Sequence, residues 1–297
     1  MDNFADRLIA ACQEKDSIVC VGIDPRPDLL PAAKDRASTP KDRFVEFGHS
    51  VIDAVKDVAV AVKPQSAFFE LLGPPGVEAY WQIADYAGKQ GLLVIADVKR
   101  SDIGSTADAY ARAYLGGSAV WSRTVDAVTV NPYLGSDGIL PFVKLAKDHA
   151  GGVFVLVKTS NKSSGELQDL VADGRPVYEH VAGWLADHAD DLMGESGYSS
   201  LGAVVGATYP EQLARLRKLM PNNLFLIPGY GAQGGGATDV KPGLDADGLG
   251  AIVNASRSVI FAYRDETWAA ANDPADWTDA VRDAASRMRD ELNEVRR

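Results

Sequence analysis

The residues best suited to chemistry lie in the run DVKRSDI at positions 97–103, which directly follows an apolar stretch. Residues two apart on a strand point to the same side, so Asp97 and Lys99 are predicted to lie next to each other. A neighbouring carboxylate keeps a lysine charged, and a charged lysine can stabilise developing negative charge and then donate a proton. Asp102 follows where a helix over Ile103–Leu115 is predicted to begin, and capping that helix is its alternative role.

Polar residues also follow the other apolar runs. They are Asp24, Lys63, Asn131, Lys158, Thr159, Ser160, Asn161, Asn254, Ser256 and Arg257. At one strand end, contact with water is a sufficient explanation for a polar residue. Several ends that bring opposite charges to one place favour a binding site instead.

A glycine-rich stretch, PGYGAQGGG at 228–236, follows the seventh run. It is either a flexible surface loop or a loop whose backbone N–H groups approach a phosphate. It matches neither the Walker A pattern nor the dinucleotide fingerprint. Barrels often bind phosphate between the loops after strands seven and eight, and Arg257 lies in the second of these loops. Together these features predict a phosphate site.

The elements that must position these residues are short apolar runs alternating with helix-like segments. The runs are Ser17–Ile23, Val58–Val62, Leu92–Ala96, Ala127–Val130, Gly152–Val157, Leu201–Val205, Leu224–Ile227 and Ala251–Val253. Continuous apolar runs are typical of parallel strands covered on both faces. The pattern predicts an α/β fold, a TIM (β/α)₈ barrel, with a doubly wound open sheet as the competing architecture.

The domain organisation follows from the absence of a linker-like segment in the sequence. We expect one catalytic domain over residues 1–297, with an extra amino-terminal helix at Phe4–Gln13 and a carboxy-terminal helix at about Pro274–Glu294. The segment 160–200 is longer than one turn and one helix require. We expect a loop around Gly165 and a helix pair there.

Composition excludes several classes of protein. The 297 residues include 30 basic and 41 acidic residues, a net charge of −11, which argues against a nucleic-acid partner but allows a small anionic ligand. No segment reaches 18 consecutive apolar residues, so no membrane span is predicted. Cys12 and Cys20 lie in apolar contexts and suit a reducing compartment, so a cytoplasmic location is expected. No zinc cluster, Ser-His-Asp set or cofactor motif is recognisable, and neither a metal nor a cofactor is expected.

The sequence resembles the orotidine 5′-phosphate decarboxylase family, in its bacterial branch with the longer chain. The resemblance rests on D-x-K-x-x-D-I at 97–103, VGIDP at 21–25, VKPQ at 62–65, TSN at 159–161 and SRS at 256–258. Together with the glycine-rich stretch, these motifs occur in the family's order over about residues 17 to 262. The resemblance implies the decarboxylation of orotidine 5′-phosphate to UMP and CO₂ in pyrimidine biosynthesis, without a cofactor.

The resemblance also implies roles for individual residues. It implies an alternating charged network at the reaction centre, made by Lys63, Asp97, Lys99 and Asp102, with Lys99 as the proton donor. The implied substrate contacts are Asp24 and Lys63 to the ribose, Ser160 (or the adjacent Thr159) to the base, and Gln233 and Arg257 to the phosphate, under a closing glycine-rich loop. Asp102, Ile103 and Thr106 are implied to reach a neighbouring subunit's site, which predicts a homodimer.

Two other functions remain open from the sequence. A magnesium-dependent sugar-phosphate decarboxylase or aldolase of the same barrel superfamily shares the D-x-K-x-x-D pattern, but it would place a carboxylate where Lys63 stands. A non-catalytic phosphate-binding barrel is the second alternative, although unpaired buried charges are costly without a function. The sequence departs from the family's shorter chains at Arg100-Ser101, in the 160–200 insertion and in the terminal helix.

Overall fold

The barrel is closed by eight parallel strands. The computed structural model describes residues 2–31, 39–117, 124–231 and 235–297. The barrel strands are β1 (Val19–Ile23), β2 (Ala61–Pro64), β3 (Leu93–Arg100), β4 (Ala127–Val130), β5 (Gly152–Lys158), β8 (Ser199–Val205), β9 (Asn223–Pro228) and β10 (Ala251–Ala255), and a small hairpin contributes β6 (Val171–Ala172) and β7 (Arg175–Pro176). Around the barrel the strands follow the order β1-β10-β9-β8-β5-β4-β3-β2. The predicted barrel is confirmed, and the open doubly wound sheet is wrong.

Helices surround the barrel. They are α1 (Phe4–Glu14), α2 (Pro40–Val55), α3 (Ser66–Glu70), α4 (Pro74–Lys89), α5 (Gly104–Ala111), α6 (Leu140–His149), α7 (Gly165–Gln168), α8 (Val177–Asp187), α9 (Pro210–Leu219), α10 (Ala237–Val240), α11 (Arg257–Ile260), α12 (Glu266–Ala271) and α13 (Trp277–Arg296). Both predicted terminal helices are present as α1 and α13. No helix of the described ranges is long and apolar enough to cross a membrane.

Large and small side chains alternate in the interior of the barrel. Phe4 of α1 is completely buried and packs edge to face on Phe154 of β5, with ring centroids 5.9 Å apart. Glycines make room for both rings: a Cβ at Gly152 would lie 2.3 Å from Phe4, and one at Gly202 would lie 2.7 Å from Phe154. These contacts lie at the amino-terminal end of the barrel, and the polar strand ends lie at the opposite, carboxy-terminal mouth because all eight strands are parallel.

The segment after β5 differs from its prediction. The expected helix pair is replaced by the short α7, the β6–β7 hairpin, α8 and a 3₁₀ turn at Ala189–Leu192. At the hairpin turn, Asp173 and Gly174 have φ of 47° and 76°. Such left-handed values at both central residues favour an Asp-Gly pair. The Asp-Gly pair was therefore the signal for a hairpin in this segment.

The helix after β3 begins and ends within one residue of its predicted bounds, but it is α-helical only as far as Ala111. The expected helix over Ile103–Leu115 begins at Gly104, and its last turn, Arg112–Gly116, is a π-helix. Ile103 is the N-cap residue, and its side chain makes no capping hydrogen bond. Asp102 therefore does not cap the helix; its Oδ1 accepts a hydrogen bond from the Ile103 N–H at 2.8 Å.

Candidate active site

Three charged side chains meet at the ends of β2 and β3. Lys63 and Lys99 each form an ion pair with Asp97, and the two amines bind different oxygens of its carboxylate. Lys63 and Asp97 are buried, whereas the Lys99 side chain is 45% exposed. One amine is thus fixed in the interior, and the other lies where a ligand in the mouth can reach it.

Thr129 of β4 holds this part of β3 in place. Its hydroxyl donates to Asp97 Oδ1 at 3.1 Å and accepts from the N–H groups of Val98 (3.0 Å) and Lys99 (2.9 Å). The β3–β4 register shifts between Ala96 and Arg100, so the hydroxyl replaces backbone partners there. Lys99 has a φ of 44°, a backbone conformation that residues other than glycine rarely adopt. Strain at a residue of this kind is typical of functional sites.

The protonation states of the cluster follow from its charges. Burial alone would raise the pKa of Asp97, but the ammonium groups of Lys63 and Lys99 outweigh it and hold that pKa well below its usual range. Burial alone would lower the pKa of Lys63, but the carboxylates of Asp97 and Asp24 raise it above its usual range. Asp97 and Lys63 therefore both stay charged at neutral pH.

A second group of polar side chains lies between β1 and β10. Burial raises the pKa of Asp24, although Lys63 and a hydrogen bond from Ser256 act in the opposite direction. Gly22 makes room for this group, because a Cβ there would lie 1.9 Å from Ser256 Oγ and 3.3 Å from Asn254 Oδ1. Within the described ranges, Asp24 Oδ1 and Asn254 Oδ1 are buried acceptors without a hydrogen-bond partner. Hydroxyl groups of a ligand can supply the missing donors.

The three residues implied to serve a neighbouring subunit lie outside the cluster. Asp102 forms no ion pair with either lysine of the described cluster, Lys63 or Lys99. Ile103 is 51% exposed, and Thr106 is exposed on α5. Within one chain, the expected network of four charges is therefore a network of three.

The remaining predicted contacts follow other strands around the mouth. Ser160 and Thr159 are half-buried after β5, and Arg257 is exposed at the start of α11 after β10. Gln233 lies outside the described residues. Because β10, β1, β2 and β3 are neighbours in the barrel, Arg257, Asp24 and the lysine cluster occupy consecutive positions along the rim.

Two residues of this site were not singled out as site residues from the sequence. Thr129 was read only as part of an apolar strand, and its hydroxyl in an otherwise apolar buried run was the available signal. Asn254 was noted only as a polar strand end, yet it is 6% exposed. The part of the chain that the structure describes contains no group of three or more His, Cys, Asp or Glu side chains arranged to hold a metal ion.

Comparison with known proteins finds one family that covers most of this chain. The model of the orotidine 5′-phosphate decarboxylase / HUMPS family matches residues 17–271. Orotidine 5′-phosphate decarboxylase from Rhodopirellula baltica is 46% identical over 98% of this chain and 99% of its own length. The enzyme of that name from Caldicellulosiruptor bescii is 41% identical over 89% and 91%. The structure of Leishmania donovani OMP decarboxylase matches with a TM-score of 0.76 and 34% identity, over 99% of this chain and 98% of that one.

Proposed function

Because this chain belongs to the orotidine 5′-phosphate decarboxylase family, we propose that Lys63, Asp97 and Lys99 form its reaction centre. The enzyme converts orotidine 5′-phosphate to UMP and CO₂, a step of pyrimidine biosynthesis. One observation carries the assignment of the centre: Asp97 binds both lysines, and the amine of Lys99 remains accessible from the barrel mouth. The whole chain, residues 1–297, acts as one catalytic domain.

Lys99 is the proton donor in this proposal. When the bond from C6 to the carboxylate breaks, CO₂ leaves and the electron pair stays on C6, where no adjacent carbonyl can delocalise it. An ammonium beside C6 stabilises that charge and then transfers its proton to form the C–H bond. Two unit charges about 4 Å apart interact by roughly 4 kcal/mol at an effective dielectric near 20, and only the part that grows toward the transition state accelerates the reaction.

Asp97 has two roles in the same step. Its carboxylate orients Lys63 and Lys99 and keeps Lys63 charged. It also stands as a fixed negative charge near the carboxylate of the substrate, and departure of CO₂ relieves that repulsion. The low pKa of Asp97 supports both roles, because the group stays ionised throughout.

The remaining residues hold the substrate. Asp24 and Lys63 bind the ribose hydroxyls, and the unpartnered Asp24 Oδ1 supports this role. Ser160 contacts the base, and Arg257 with Gln233 holds the phosphate. A magnesium-dependent sugar-phosphate enzyme is disfavoured because the end of β2 carries a buried, paired lysine instead of a carboxylate. A buried carboxylate paired with two lysines likewise disfavours a non-catalytic barrel.

The active form is a homodimer in this proposal. Asp102, Ile103 and Thr106 of each chain complete the site of the other. The exposed apolar surface at Ile103, Leu134 (46% exposed) and Leu140 (42% exposed) supports an interface beside the mouth. The two thiols are free and buried, as suits a reducing compartment, and we place the enzyme in the cytoplasm.

The role of Lys99 is tested by Lys99→Ala, with Lys89→Ala, an exposed lysine at the end of α4, as the control. We expect Lys99→Ala to lose decarboxylation, measured as loss of the orotate absorbance, and still to bind UMP. The control should match the wild type in both assays. Turnover of Lys99→Ala within a few-fold of wild type would refute the assignment.

The shared site is tested by mixing two inactive variants, Lys99→Ala and Asp102→Ala, under conditions that exchange subunits. In a mixed dimer one site carries both substitutions and the other carries neither. Half of the dimers are mixed at equal concentrations, so about one quarter of wild-type activity should return. A mixture that remains inactive, although sedimentation shows mixed dimers, would contradict the shared site.

A further inference from the structure

A third lysine, outside the charge cluster, lies at the end of β5. Lys158 is 1% exposed, and its Nζ lies 2.7 Å from Asp169 Oδ1 and 3.3 Å from Ser164 Oγ. The ring centroids of Tyr178 and Tyr209 lie 5.7 Å and 5.1 Å from the same amine. The buried amine thus joins the barrel to the segment around α7, which provides its carboxylate partner.

The residue before Asp169 holds the next residue of the barrel. Gln168 Oε1 accepts from the Thr159 N–H at 3.0 Å, and Gln168 Nε2 donates to Thr159 Oγ1 at 2.8 Å. The Thr159 hydroxyl donates in turn to Asn161 Oδ1 at 2.6 Å. Two consecutive residues of the insertion, Gln168 and Asp169, therefore bind two consecutive residues at the end of β5.

Ser160, the residue implied to contact the base, lies between Thr159 and Asn161 in the turn that these bonds hold. On its other side is Gly206, where a Cβ would lie 2.9 Å from Ser160 Cβ and 3.0 Å from its nitrogen. The Gly206 N–H also donates to the Lys158 carbonyl at 2.8 Å. Ser160 is thus held on one side by the end of β8 and through its neighbour Thr159 by Gln168. A contact fixed before the ligand arrives loses less entropy on binding.

We propose that Gln168 and Asp169 are positioning residues for recognition of the pyrimidine ring. They hold the turn Thr159–Asn161 so that Ser160 meets the polar edge of the base. This inference rests on the proposed function, since it takes Ser160 as the residue that contacts the base. It gives the insertion after β5 a role in selecting the ligand.

The test compares ligands that differ in the base. UMP contains the ring, whereas ribose 5-phosphate contains only the sugar and the phosphate. We expect Gln168→Ala to weaken UMP binding by about tenfold, the change expected from loss of a well-placed hydrogen bond, and to change ribose 5-phosphate binding by less than about twofold. The control is Glu166→Ala, an exposed residue of the same helix α7 that takes no part in these bonds, and it should bind both ligands as the wild type does.

Gln168→Glu protects the test against a variant that fails to fold. It keeps the acceptor for the Thr159 N–H and loses the donor to Thr159 Oγ1, so an intermediate loss of UMP affinity is expected. Equal losses for UMP and ribose 5-phosphate, or no loss for UMP, would overturn the inference. In the first case these residues would support only the fold.

A double variant shows whether Gln168 acts through Ser160. If it does, Ser160→Ala with Gln168→Ala should bind UMP about as weakly as Ser160→Ala alone. Additive losses would overturn that route. Failure of the proposed reaction centre is a separate result, seen as activity that survives Lys99→Ala. An inactive Lys99→Ala together with unchanged UMP binding by Gln168→Ala would contradict only this inference.

Discussion

Replacing Thr129 by valine tests how the shift in the β3–β4 register next to Lys99 is stabilised. Valine has nearly the same shape but no hydroxyl, so the N–H groups of Val98 and Lys99 lose their acceptor and Asp97 loses a donor. A buried N–H without a partner costs about 1–3 kcal/mol. The Val98 N–H lies in a buried bond, and the Lys99 N–H is partly buried. We therefore expect Thr129→Val to lower the free energy of unfolding by about 2–4 kcal/mol.

Thr129→Ser is the matched control, because it keeps the hydroxyl and removes one methyl group. Its expected cost is about 1 kcal/mol. Urea denaturation at neutral pH, with an unchanged slope, compares the two variants. Thr129→Val should also lower kcat by about 10- to 100-fold, because small displacements of a reacting group have effects of that size. If Thr129→Val is as stable and as active as Thr129→Ser, the hydroxyl does not fix Lys99.

Two further predictions concern the buried carboxylates. The native pKa of Asp97 lies below its unfolded value of about 3.9, so the ionised group contributes stability above about pH 4, and this stability is lost as pH falls toward the native value. Asp97→Asn should therefore be less stable at pH 7 and lose less stability on acidification, and equal slopes in acid denaturation would contradict this. Asp24 has a raised native pKa, so its ionised form disfavours folding at pH values above the unfolded pKa. Asp24→Asn should unfold at higher urea than the wild type at pH 7 yet have a lower kcat/KM, and a variant that gains no stability would refute the argument.

The barrel could be predicted because parallel strands covered on both faces are apolar throughout. Strand β4 has its predicted bounds, and the shifts elsewhere have local causes. The second strand begins at Ala61 and not at Val58, because the N–H groups of Val58 and Ala59 bond to the Val55 carbonyl in the turn that ends α2. β3 continues to Arg100, beyond its apolar run, because the Thr129 hydroxyl accepts hydrogen bonds from the N–H groups of Val98 and Lys99.

One contact of the cluster was predictable from the sequence, whereas its contacts with distant residues were not. The two-residue spacing of Asp97 and Lys99 predicted their contact, which the ion pair confirms. The left-handed backbone at Lys99 depends on a hydroxyl thirty residues away in sequence, at Thr129. The role of Asp102 in a second chain stays a prediction, because spacing along one chain contains no information about a neighbour.

The packing of Phe4 against Phe154 has a consequence for substrate entry and product release. Since these two completely buried rings close the barrel at its amino-terminal end, we expect substrate and products to pass through the carboxy-terminal mouth. Carbon dioxide is small and uncharged, so it can diffuse out past a nucleotide that is still bound. In the proposed site UMP is held at its phosphate, so we expect it to leave after carbon dioxide.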